Sequence, residues 1–90
     1  MSSGDAYQIK FSDAAVREMK RLDREILQRI RKKVEEMASQ VKSFRHKQLQ
    51  ANLSEYFRLR VGKYRVIYKL DHRSRLVLIE HIGNRDDIYS

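Results

Sequence analysis

"YFRLRVGKYRVIYKL", Tyr56 to Leu70, alternates polar and apolar residues on either side of one glycine. Before Gly62, Phe57, Leu59 and Val61 alternate with Tyr56, Arg58 and Arg60. After it, Tyr64, Val66, Tyr68 and Leu70 alternate with Lys63, Arg65, Ile67 and Lys69. A period of two over aromatic and β-branched residues predicts strands, and the lone glycine between them predicts a tight hairpin. The apolar parity has to meet a core. Arg58, Arg60, Lys63, Arg65 and Lys69 then project from the opposite, open face, because a one-residue slip would bury them all.

Working outward, "DHRS" predicts the next turn and "RLVLIEHI", Arg75 to Ile82, a third strand. That strand is apolar on both parities (Leu76, Leu78 and Ile82 against Val77 and Ile79), which suits the middle of a sheet. Toward the N-terminus, Tyr7 to Phe11 ("YQIKF") predicts a short strand. Ser12 follows as an N-cap with Asp13 in the first turn, and a helix carries Ala15, Met19 and Leu22 on one side. Asp23 is a second N-cap. After it Ile26, Ile30, Val34, Met37 and Val41 form one apolar stripe at helical spacing. Residues 42–54 ("KSFRHKQLQANLS") have no period and predict a connection with a turn of helix, long for a small domain. The expected fold is α+β: a short N-terminal strand, a helical hairpin, then a three-stranded antiparallel meander with the helices on one sheet face. Residues 1–90 form one domain in this reading.

Composition narrows the function. The chain has no cysteine and so neither a disulfide framework nor a thiolate metal site. No metal-ligand spacing links His46, His72 and His81, and no cofactor is implied. The start lacks an apolar core of the signal-peptide kind and no apolar run reaches membrane length, so a soluble cytoplasmic protein is expected. The net charge is +8, and it is uneven. Residues 42–75 carry ten Lys/Arg against two Asp/Glu, whereas residues 1–41 carry nine against seven and residues 76–90 one against three. Basic charge concentrated on one sheet face favours a phosphate polyanion or an acidic protein partner. The closing "GNRDDIYS" places Arg85 and Tyr89 four residues apart after Gly83, where the tyrosine either pins the terminus or joins a site.

Taken with "IEHIGNRDDIY", the stretch "YFRLRVGKYRVIYKL" resembles the RelE/ParE superfamily of bacterial and archaeal toxins, the toxin halves of type II toxin–antitoxin pairs. The resemblance covers essentially the whole chain, including the basic connection "HKQLQANL". RelE-like members cut messenger RNA in the ribosomal A site, whereas ParE-like members poison DNA gyrase and lack the ribonuclease residues. Arg65, Arg85 and Tyr89 stand at the discriminating positions, so the resemblance implies a ribosome-dependent endoribonuclease. A non-catalytic gyrase inhibitor is the alternative, and a degenerate toxin kept as a binding module is the third reading.

The implied reaction is attack of a ribose 2′-hydroxyl on its own phosphate without a metal. It needs a base, cations for the charge building on phosphorus, and an acid for the leaving 5′-oxygen. Arginine forks suit the phosphorane oxygens, which assigns that role first to Arg65; Arg85 would contact the same phosphate or the leaving oxygen, with Arg58 extending the patch. Tyr89 would stack on the target base or carry a proton. Arg60, Lys63, Lys69, Lys47 and Arg45 are the expected RNA and ribosome contacts. The sequence departs from the best-known RelE-type site, which carries lysines where Tyr56 and Arg58 stand. An arginine keeps its proton at any working pH. The base is therefore sought in Tyr89, Tyr56 or His81, with a semi-buried structural role the first reading of His81. Tyr64 and Tyr68 read as core aromatics, and His46 and His72 as solvated loop residues. The resemblance further implies a RelB-like antitoxin, contact with operator DNA only through that antitoxin, contacts with ribosome, messenger RNA and ribosomal RNA, and a monomeric toxin.

Overall fold

A computed structural model describes residues 6–48 and 55–84. The elements in chain order are β1 (Gln8–Phe11), α1 (Asp13–Met19), α2 (Arg24–Ser39), β2 (Lys47–Gln48), β3 (Phe57–Val61), β4 (Tyr64–Asp71) and β5 (Leu76–Asn84). They build one five-stranded sheet in the order β1-β5-β4-β3-β2. The meander pairs antiparallel as expected, and β1 joins its far side parallel to β5, Gln8 opposite Leu76 and Phe11 opposite Ile79. The α+β class, the helical hairpin and the central place of the third meander strand are therefore as the sequence predicts. The unforeseen element is β2, two residues that pair with Phe57 and Arg58 at the other sheet edge.

Both helices pack on one sheet face. Ala15 of α1 and Ile30, Val34, Met37 and Ala38 of α2 meet Leu59, Val66, Tyr68, Val77, Ile79 and Ile82, all buried. Ser12 caps α1 as expected, its Oγ accepting the Ala15 N–H at 3.0 Å. Asp23 precedes α2 but makes no side-chain cap bond. At the β3–β4 hairpin only Gly62 of the two turn residues has positive φ, 59°, which fits a turn of type II′ with glycine first.

The alternation of β5 is interrupted. His81 stands opposite Ile67 and Ile79 opposite Tyr68, so Glu80 is an extra residue with no partner on β4. This bulge resets the parity. Val77, Ile79 and Ile82 all face the helices, while Glu80 and His81 are both kept out of the core. Facing, ambiguous for a strand apolar on both parities, is decided here.

Tyr68 is fully buried, and the connection after α2 serves it. His46 Nε2 donates to the Val41 carbonyl at 2.8 Å, which leaves Nδ1 to accept the Tyr68 hydroxyl at 2.5 Å. Phe44 and Phe57 flank the imidazole, with ring centroids 5.2 and 5.4 Å away. The expectation of a solvated His46 is thus corrected: it closes the core beneath β2. His72 is exposed, yet its Nδ1 lies 2.7 Å from the Tyr7 hydroxyl, so it too has a protein partner.

Burial pushes the Tyr68 phenol well above its ordinary range. The fold thus favours the neutral form. Its stabilising effect is complete below the unfolded phenol value of about 10 and falls as pH rises past it. Tyr68→Phe is expected to cost about 1 kcal/mol at pH 7 through the lost bond to His46, and to remove part of the stability loss above pH ~10. Urea denaturation across pH 7 to 11 measures both.

Candidate functional site

The strand alternation places Arg65, Ile67 and Lys69 of β4 on the sheet face away from the helices. That face is not open at its centre. Arg65 is only 9% exposed and Ile67 only 4%. β4 lies inside the sheet, so Arg65 is hemmed between Arg60 on β3 and Gly83 on β5. Gly83 contributes no side chain beside the guanidinium. The expected exposed setting of Arg65 is corrected to a nearly buried one. An arginine is seldom so enclosed. Gly83 itself does not turn the chain, because β5 runs on through Asn84, opposite Tyr64. Arg85 and Tyr89 lie outside the described residues.

Arg58 is half-buried on β3 opposite Lys47 of β2, and Arg45 and Lys47 are exposed beside it. Lys69 is engaged twice. Its Nζ lies 4.0 Å from Glu80 Oε2 and 5.4 Å from the centroid of the Tyr56 ring. The bulge explains the first contact, since it holds Glu80 out of the core and on the side of Lys69. Tyr56 is thereby placed at the cationic face, on the side chain of Lys69.

Arg60, beside Arg65, and Lys63 also border α2. Arg60 lines a groove with Arg29, Lys32 and Lys33 of α2, and Lys63 lines an adjoining one with Arg29 and Ile26. The reason is position: both residues stand at the end of the hairpin that reaches α2, and Arg29 Nη2 comes within 4.0 Å of the place a Cβ would take on Gly62. Among the described residues none of these five cations forms an ion pair. The basic charge thus runs from the outer sheet face, where Arg60 stands opposite Arg65, to the seam of α2 and the hairpin.

His81 is exposed, and the carboxylate of Glu18 faces it: Oε2 lies 3.6 Å from His81 Nδ1, and Oε1 accepts the Ile82 N–H at 2.7 Å. The semi-buried setting expected for His81 is therefore not the one observed. Glu18 is the residue that sequence reasoning missed. It sits three residues after Ala15 and four before Leu22, on the core-facing side of α1. An acid at stripe spacing signals a partner inside the fold. Among the described residues no three His, Asp or Glu side chains gather in a way that could hold a metal ion. No described helix is long and apolar enough to cross a membrane.

This architecture is that of known toxins. The chain superposes on a toxin–antitoxin complex RelBE2 from Mycobacterium tuberculosis with TM-score 0.80 at 23% identity, covering 94% of this chain and 98% of that one. It matches the isolated RelE toxin of E. coli with TM-score 0.73 at 20% identity, over 88% of this chain and 84% of that one. YafQ from E. coli matches with TM-score 0.60 at 15% identity, over 93% and 99%. A comparison with curated proteins finds no sequence match. The family model of the ParE toxin of the type II toxin-antitoxin system parDE matches residues 9–89, and the chain belongs to that family. It is a toxin of the RelE/ParE superfamily, as its closing motifs imply.

The partly exposed Lys69–Glu80 contact is long, and such pairs contribute little. Lys69→Met is expected to change unfolding free energy by less than about 1 kcal/mol. A larger loss in guanidinium denaturation would make Lys69 a structural residue.

Proposed function

We propose that the protein is a ribosome-dependent endoribonuclease that cleaves messenger RNA in the ribosomal A site and so inhibits translation. The observation that carries this reading is Arg65. A guanidinium enclosed between two strands, beside a glycine that leaves room, is pre-organised for a phosphate in transition. Arg65 and Arg85 hold the phosphorane oxygens, Arg58 extends the patch, and Tyr89 stacks on the target base. Arg45 and Lys47 at the β2 edge, with Arg60, Lys63 and the α2 cations along the seam, meet phosphates of ribosomal RNA. Lys69 and Tyr56 border the site on the β3 side.

The natural partner is a RelB-like antitoxin with acidic and amphipathic segments that neutralise the cationic face, and operator DNA is reached only through it. Solved complexes of the same fold, from M. tuberculosis and from Pyrococcus horikoshii, are toxin–antitoxin pairs. Without the antitoxin the toxin is monomeric and acts in the cytoplasm without a cofactor.

One observation favours a second reading: the family model that matches is that of ParE, and ParE-like members act on DNA gyrase. Induction in cells followed by primer extension on a translated transcript separates the two. Codon-phased cuts that vanish in Arg65→Ala and Tyr89→Phe are expected. Intact transcripts together with double-strand DNA breaks would replace the ribonuclease by the gyrase inhibitor.

A further inference from the structure

Arg58 and Arg65 can bind a phosphate but cannot take a proton from a hydroxyl. We propose that Glu18 and His81 supply this function as a dyad: His81 is the general base for the 2′-hydroxyl, and Glu18 is the residue that orients it. The inference rests on the ribonuclease reading and deepens it.

Four observations converge. First, the bulge at Glu80 holds His81 out of the core, opposite Ile67, which neighbours Arg65 on the same face of β4. Gly83, the residue opposite Arg65, lies two positions along β5 from His81, a diagonal spacing that long side chains span. Second, the His81 side chain is 55% exposed, so a substrate can reach it. Third, Glu18 is doubly engaged. One oxygen is held at 2.7 Å by the backbone N–H of Ile82, which leaves the other facing His81 Nδ1 at 3.6 Å. A carboxylate on that side selects the tautomer with the proton on Nδ1 and leaves Nε2 as the acceptor. The separation is longer than a hydrogen bond, as catalytic contacts often are before substrate tightens them. Fourth, the dyad borders a cleft of about 650 Å³ between α1 and the end of β5, lined also by Arg21, Tyr64, Gly83 and Asn84. The cleft therefore extends along β5 to the last described residue before Arg85.

The chemistry balances with water as the only co-reactant. His81 Nε2 takes the 2′-hydroxyl proton as the 2′-oxygen forms its bond to phosphorus. The bond between phosphorus and the 5′-oxygen breaks, and that oxygen takes a proton from water. The hydroxide left behind is neutralised by the imidazolium, which returns His81 to its starting form. The products are a 2′,3′-cyclic phosphate and a 5′-hydroxyl. The Glu18 carboxylate stabilises the imidazolium while it exists.

Single-turnover cleavage of messenger RNA on programmed ribosomes tests the dyad, using antitoxin-free toxin. His81→Ala is expected to slow cleavage about 100-fold or more while ribosome binding stays at the wild-type level. Added imidazole should restore the rate at least tenfold, a response that loss of a structural histidine does not give. His81→Asn keeps a donor toward Glu18 but has no proton acceptor in the Nε2 position. It is expected to fold normally, to be as slow as His81→Ala, and it decides the matter should the alanine variant misfold. Glu18→Gln retains an oxygen for Ile82 N–H and is expected to lower the cleavage rate about tenfold with binding and thermal midpoint unchanged. Wild-type rates in His81→Asn, or a slow His81→Ala that imidazole leaves unmoved, overturn the dyad and leave the ribonuclease reading standing. A wild-type toxin that binds programmed ribosomes and cuts nothing removes both together.

Discussion

The sheet depends on how β5 is held after β1 ends. Up to Ile79 the outer edge of β5 is satisfied by β1 in parallel register. Beyond it the outward backbone groups have no strand, and buried groups of this kind need partners. The first turns of α1 supply them. Ser12 N–H donates to the Ile79 carbonyl at 2.8 Å, Ser12 Oγ donates to the Glu80 carbonyl at 2.7 Å, and Glu18 accepts from Ile82 N–H. Ser12 thus has two tasks, since the same oxygen caps α1. One short helix replaces a strand, and the bulge beside it decides which residues of β5 reach the outer sheet face.

Much of this was legible because the pattern that predicts each element also explains its packing. The stripe from Ile26 to Val41 could face only a core, and the hairpin around Gly62 could close only one way. Three features were not legible, each for a physical reason. The bulge hides in a strand that is apolar on both parities, so moving Ile82 from one parity to the other breaks no pattern. The strand β2 is two residues long and defined by hydrogen bonds to β3, for which no side-chain period exists. The enclosure of Arg65 is a property of its neighbours across the sheet, and alternation states a face without stating what surrounds it. Glu18 was the avoidable omission, since its spacing from Ala15 and Leu22 was visible throughout.

The electrostatic layout follows from the same geometry. On the outer face Lys69 lies beside Glu80 and Arg65 is enclosed, while Arg45 and Lys47 at the β2 edge are exposed. Along the seam of α2 and the hairpin, five cations stand without an ion pair among the described residues. Held groups give orientation and unpaired ones give attraction that weakens with salt.

The parallel pairing of β1 with β5 also sets an order of assembly. Ser12 and Glu80 are 68 residues apart in sequence, and Glu18 and Ile82 are 64. Contacts of such separation close large loops and form late. During synthesis the helical hairpin and the β3–β4 hairpin can form from local contacts, but neither the edge of the sheet nor the orientation of His81 exists until Asn84 has emerged. The edge of the sheet is therefore among the last parts of the toxin that can be completed during its own translation.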